Sequence, residues 1–159
     1  MENDQEKIHK TGTKLSLEDL RKVFDKAGLR LTHQRIMIYN AIMEAKDHPS
    51  AEALYERLKK EVPTMSLDTV YRTLATLEYL GLIKRVQVFD YIRFEPDLSR
   101  HHHFVCKICK KIIDVKWPQF DSLTLPKEIN LLGKVLDHQV EIRGICKECL
   151  CKKEETKTT

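Results

Sequence analysis

The stretch "HHHFVCKIC", residues 101–109, gathers three histidines and two cysteines into nine residues. A second cysteine pair, Cys146 and Cys149, repeats the C-x-x-C spacing after 36 intervening residues. Each such knuckle bends the chain so that two thiolates converge, and two knuckles together suit one tetrahedral ion. Four thiolates leave no open coordination position. The expectation is a structural zinc held by Cys106, Cys109, Cys146 and Cys149, with Cys151 outside the spacing as a free thiol.

The histidines answer to a different geometry. If "HHHFVC" is a strand, His101 and His103 project to one face while His102 and Cys106 project to the other, so one ion cannot take both sets. A tight hairpin between Cys106 and Cys109 returns through "KKIIDV" and brings Asp114 opposite His101 on the same face. Two imidazoles and a carboxylate make a nitrogen and oxygen site suited to divalent iron, manganese or zinc. Spacing alone leaves open a plain polar strand.

These groups need elements to hold them. Up to residue 81 the chain carries four helical patterns, each with a start and a stop. "SLEDLRKVFDKAG" opens on Ser16 as N-cap with Asp19 three residues on, and closes at Gly28. "THQRIMIYNAIMEA" starts at Thr32, and "SAEALYERLKKEVP" runs from Ser50 until Pro63. "SLDTVYRTLATLEYLG" starts at Ser66, stacks Val70, Leu74 and Leu77 on one stripe, and ends at Gly81. Strands "LIKRVQV" and "YIRFE" follow, joined at Phe89 and Asp90. Helices closed by a hairpin make a winged helix, whose last helix, Leu67 to Leu80, is the candidate reader of a DNA major groove. Its outer side offers Thr69, Tyr71, Arg72 and Thr76, although an amphipathic helix with polar residues is also what a plain solvated helix looks like.

Composition narrows the classes. The net charge of +4 over 159 residues is too small to name a partner, so any basic surface must be local. No apolar run reaches the roughly 18 residues of a membrane span, and "MENDQEKIHK" lacks the apolar stretch of a signal peptide. The expected location is the cytoplasm, where five cysteines read as metal ligands rather than disulfides.

From about Leu17 to Leu150 the chain resembles the ferric uptake regulator family of dimeric bacterial repressors. "GLRLTHQR", "HPSAEALYERL", "SLDTVYRTLATLEYLGLI", "HHHFVCKICKKIID" and "GICKEC" carry the likeness, in order. The resemblance implies an α+β chain. Residues 1–15 form a tail, 16–92 the winged-helix DNA-binding domain, 93–100 a hinge, 101–151 an α/β dimerisation and metal-binding domain, and 152–159 a second tail.

It also implies a double-stranded DNA operator, a homodimer, the four-cysteine zinc, and a regulatory ferrous iron or manganese held by His48, Glu95, His101, His103 and Asp114. His48 and Glu95 enter through the resemblance alone. One ion taking ligands from both domains would set the recognition helices of the dimer on the operator. A further metal site of the family matches only in part: His102, Asp121 and His138 stand at three positions, but Arg100 at the first cannot ligate. His138 also falls on an expected strand, "KVLDHQVEIRGIC", beside Leu136, Val140 and Ile142. His9 and His33 receive no role. The mixed pair Glu95 and Asp114 leans, through its aspartate, to peroxide sensing by metal-catalysed histidine oxidation. The alternatives are an iron-uptake regulator with ferrous iron as corepressor, a small metalloenzyme, and a zinc module that binds protein. An enzyme is disfavoured because no general base or nucleophile remains once the ligands are assigned.

Overall fold

In a computed structural model, residues 13–155 are described, and they fold as two compact units, one ending at Ser99 and one beginning at Arg100. His9 and most of the two expected tails lie outside the described residues. The near ends of those tails are structured. Lys14 pairs with Glu44 at 2.8 Å, and the Leu15 amide donates to the Tyr39 hydroxyl at 2.8 Å. Residues 152–155 continue a helix.

The first unit is built from helices Leu17–Lys26 (α1), His33–Glu44 (α2), Ala51–Leu58 (α3) and Leu67–Tyr79 (α4). Each N-cap is the residue expected: the hydroxyls of Ser16, Thr32, Ser50 and Ser66 accept from the amides of Asp19, Arg35, Ala53 and Thr69. Gly28 and Gly81 close α1 and α4 in left-handed conformations at φ +68° and +66°, which lets the following Leu29 and Leu82 amides reach back to Phe24 and Leu77. Helix α3 ends at Leu58, short of Pro63, and the chain runs on through a turn in which the Glu61 and Val62 amides both donate to the Leu58 carbonyl.

Strands Lys84–Val88 (β1) and Tyr91–Glu95 (β2) form the wing, an antiparallel hairpin in the register Lys84↔Glu95 to Val88↔Tyr91. Its turn lacks glycine, so Phe89 itself takes φ +52°. Arg93 to Glu95, the expected start of the hinge, are the second half of β2. Leu20, Phe24, Ile38, Tyr39, Ile42, Leu54, Val70, Leu74 and Leu77 form one core, with Ile83 and Phe94 of the hairpin packed into it. The unit is a winged helix.

In the second unit a three-stranded sheet has the order β4-β3-β5, where β3 is His102–Cys106, β4 is Ile112–Val115 and β5 is Glu141–Gly144. β4 pairs antiparallel with β3, and β5 pairs parallel. A short helix Pro118–Asp121 (α5), a 3-10 turn at Lys127–Leu131 and a helix Lys147–Glu155 (α6) complete it. The expected strand "KVLDHQVEIRGIC" forms only at its last part, since residues 133–140 have no regular structure. His138 is therefore a loop residue. Gly144 is required where β5 passes β3, because a Cβ there would stand 2.7 Å from the Phe104 ring.

Leu74 is wholly buried in the core of the first unit. Leu74→Ala should cost about 2–5 kcal/mol in urea unfolding. Tyr79→Ala, at a side chain 82% exposed, should stay within about 0.5 kcal/mol. A loss below about 1 kcal/mol at Leu74 would mean that the helices do not pack along that stripe.

Candidate metal centres

The tight hairpin after β3 and the start of α6 bring two C-x-x-C knuckles together. The Sγ atoms of Cys106, Cys109, Cys146 and Cys149 lie within 4.8 Å of one another, and none is in a disulfide. Metal–sulfur bonds of about 2.3 Å in a tetrahedron give sulfur–sulfur edges of about 3.8 Å. Cys109 and Cys146 stand 3.7 Å apart, so this donor set fits such an ion. Lys110, just past the first knuckle, accepts φ +61° to make the bend. Cys151 is exposed on α6, two residues from Cys149 and so turned to a different side of the helix.

The thiols differ sharply in acidity. The Cys146 amide donates to Cys106 Sγ at 3.4 Å, and this hydrogen bond leads the effects that lower the Cys106 thiol to about 6. Burial, then the neighbouring sulfurs, push the Cys149 thiol up to about 12. The group thus accepts a first thiolate readily and resists the last. A divalent cation removes that resistance by neutralising the assembled charge.

Strand β3 sorts the three histidines. On one face His101 Nε2 and His103 Nε2 are 3.1 Å apart, and each is 3.7 Å from Asp114 Oδ1. Asp114 is registered opposite His103, with Val115 opposite His102. The expectation that it faces His101 is corrected by two residues along β3, because Cys106 to Lys111 form a longer turn than a minimal hairpin. The face is the one expected. Right-angled metal–nitrogen bonds of about 2.1 Å put two nitrogens about 3.0 Å apart, close to the spacing of these imidazoles.

Within the first unit, His48 and Glu95 make a buried pair, Nε2 to Oε2 at 2.5 Å. Two local features aim them. His48 holds φ +47° directly before Pro49, and the Pro49 carbonyl accepts from the Phe94 amide at 3.0 Å, pinning the start of α3 to β2. On its other oxygen, Glu95 Oε1, the carboxylate meets Lys84 Nζ at 2.7 Å. Sequence reading did not single out Lys84. The signal was present, since a two-residue turn at Phe89 and Asp90 makes Lys84 the cross-strand partner of Glu95.

On the opposite face of β3, His102 is fully buried against Trp117 and Phe120, and its Nε2 lies 3.3 Å from Asp121 Oδ1. The Val140 amide donates to His102 Nδ1 at 3.0 Å. A neutral imidazole that accepts at Nδ1 carries its proton on Nε2. That nitrogen then carries a proton rather than a lone pair, and it is buried without a hydrogen-bond partner among the described residues, as are Asp121 Oδ1 and His138 Nε2. Arg100 pairs with Asp137 at 3.3 Å, and His138 packs on the Phe120 ring with centroids 5.8 Å apart.

The four residues expected to meet DNA lie on α4 with different degrees of commitment. Tyr71 is exposed, and its hydroxyl donates to Glu52 of α3. Arg72 reaches solvent while pairing with Asp68 at 2.9 Å. Thr69 Oγ1 shares a hydrogen bond with the capping Ser66 hydroxyl, and Thr76 Oγ1 donates to the Arg72 carbonyl at 2.8 Å. Both threonine hydroxyls are engaged by their own helix, so Tyr71 and Arg72 are the projecting pair.

Residues 26–143 match the model of the ferric uptake regulator family. The peroxide-responsive repressor PerR of Staphylococcus epidermidis is 34% identical over 84% of this chain and 89% of its own length. PerR of Staphylococcus aureus is 31% identical over 84% and 90%. Among solved structures, the ferric uptake regulator of Helicobacter pylori, described with three functional metal-binding sites, superposes at a TM-score of 0.72 with 26% identity, over 84% of this chain and 91% of that one. A zinc-bound manganese uptake regulator gives 0.64 and 29%, over 80% and 98%.

Cobalt(II), a spectroscopic stand-in for zinc, should give tetrahedral thiolate bands when added to metal-free protein. Cys106→Ser should abolish them and lower the melting temperature of the second unit, whereas Cys151→Ser should change neither. Bands of equal intensity in Cys106→Ser would break the four-sulfur grouping.

Proposed function

This chain belongs to the ferric uptake regulator family, and we propose that it is a metal-dependent homodimeric repressor that senses peroxide through ferrous iron. It acts on double-stranded DNA in the cytoplasm and is a regulator rather than an enzyme. Among the described residues no helix is long and apolar enough to cross a membrane, which accords with that reading.

The proposed ligands are His48 and Glu95 from the first unit and His101, His103 and Asp114 from the second, with zinc on Cys106, Cys109, Cys146 and Cys149. The observation that carries the regulatory assignment is the His101, His103 and Asp114 cluster, three donors gathered at 3.1 and 3.7 Å on one strand face. Ligands drawn from two separately folded units make their arrangement, and with it DNA affinity, depend on occupancy. When bound, ferrous iron supplies the reduction of hydrogen peroxide beside oxidisable imidazoles. Asp114 would be a ligand whose short arm, unlike a glutamate's, would leave a position for the oxidant. His101 and His103, packed edge to face at 4.8 Å, would be the imidazoles exposed to it. Tyr71 and Arg72 are the proposed DNA contacts, with Thr69 and Thr76 contributing through helix shape.

One feature favours the sister reading, an iron-uptake regulator with iron as corepressor. The first-unit carboxylate is Glu95, whose longer arm can in principle offer two oxygens. For His102, Asp121 and His138 we propose a metal-free packing role, because the Val140 amide fixes the proton of His102 on the nitrogen that a metal would need.

Iron-loaded protein given low peroxide should leave operator DNA and gain one oxygen atom on His48, His101 or His103, while manganese-loaded protein should do neither. His101→Ala should keep fold and dimer yet lose metal-dependent DNA binding. Iron-loaded protein that stays on DNA with unmodified histidines would assign the chain to iron uptake instead. Elemental analysis of manganese-saturated protein is expected to find two ions per chain, one zinc and one manganese, and the same two in His138→Ala. A third ion lost in that variant would overturn the packing role.

A further inference from the structure

Lys84 is unassigned by the reading above, yet its ammonium lies at Glu95, a carboxylate whose denticity bears on the two signals. The hairpin leaves it no other place. With Phe89 and Asp90 as the turn, Lys84 and Glu95 are directly opposed at the mouth of the wing, and opposed residues share a face. Nζ stands 2.7 Å from Glu95 Oε1 and 3.5 Å from the Ser99 carbonyl, the last residue of the first unit. The lysine side chain is 31% exposed and the glutamate 3%, so the ammonium is drawn in from solvent to a buried anion. Glu95 Oε2 faces His48 instead.

We propose that Lys84 makes Glu95 a one-oxygen ligand: it occupies Oε1, leaving Oε2 beside His48 as the only atom offered to the regulatory metal. This rests on the assignment of Glu95 to that metal. Two consequences follow from charge and geometry. An ammonium 2.7 Å from one oxygen competes with a metal for that oxygen's charge and lone pairs, which disfavours chelation through both, so the glutamate behaves as a shorter aspartate would and the coordination position it might have taken stays open. A fixed positive charge next to the ligand also opposes a divalent cation, which weakens binding. A cross-strand ion pair with only a structural role would stabilise the hairpin and alter neither property.

The test uses the full chain with its structural zinc in place and manganese as the probe, followed through the paramagnetic resonance of the free ion. Lys84→Met should bind manganese at least about tenfold more tightly than wild type. Lys84→Arg, which keeps the charge, should not tighten it. Unchanged or weaker binding in Lys84→Met overturns the proposal. A second measurement reads denticity directly: infrared difference spectra of manganese-loaded against metal-free wild type should show the wide carboxylate splitting of one-oxygen ligation in the band that Glu95→Gln removes. The narrow splitting of a chelating carboxylate, present in wild type and lost in Glu95→Gln, overturns the proposal. Glu95→Gln in the same titration examines the underlying assignment. Undiminished affinity there removes Glu95 from the metal site altogether, a different failure from a chelating Glu95 that still binds.

Discussion

Strand β3 is hydrogen-bonded along both edges, antiparallel to β4 and parallel to β5, and cannot slip or rotate without breaking two ladders. That restraint separates the chemistry of three consecutive histidines. Because a pleated strand alternates its side chains, His101 and His103 share one face with Asp114, while His102 goes alone into an apolar pocket beneath Trp117 and Phe120. A one-residue shift would place His102 beside Asp114 and disperse the other two. The same strand ends at Cys106, so its register also delivers the first knuckle to Cys146 and Cys149.

Charge explains why the two groups of donors invite different ions. The thiol cluster is compact and partly buried, with one sulfur inclined to ionise and another strongly disinclined, a set whose assembled charge a divalent cation would neutralise. The histidine and carboxylate donors carry less charge in aggregate, and harder atoms, so they suit ions that exchange. Stable support and reversible response thus come from neighbouring segments of one small sheet.

On α4, the proposed recognition helix, the two projecting side chains are both held by carboxylates, Tyr71 by Glu52 and Arg72 by Asp68. A DNA phosphate must replace those partners before it gains anything, and so a random stretch of duplex wins little. A base edge that also satisfies the Arg72 guanidinium offsets the exchange better. In the proposed role of Tyr71 and Arg72, local acidic partners would favour sequence discrimination over indiscriminate attraction, in keeping with the modest net charge.

Local rules were enough for much of this chain. The four N-caps, the two glycine stops, the apolar stripe of α4 and the cysteine spacing are written in residues only a few positions apart, and short-range hydrogen bonding or ligand geometry makes them legible. The inner and outer faces of "HHHFVC" were also readable, since alternation is a property of any strand. What depended on partners distant in the chain was not. Asp114 faces His103 rather than His101 because of the length of the knuckle turn. Residues 133–140 stay irregular because β3 begins at His102, level with Val140 in the parallel register, so the chain before Glu141 has no facing strand in this sheet. The proton of His102 is placed by the amide of Val140, 38 residues away, and one oxygen of Glu95 is claimed by an ammonium across the wing. A sequence lists donors and acceptors, but only the packed chain decides which of them meet, because each hydrogen bond depends on where two separate backbones come to rest.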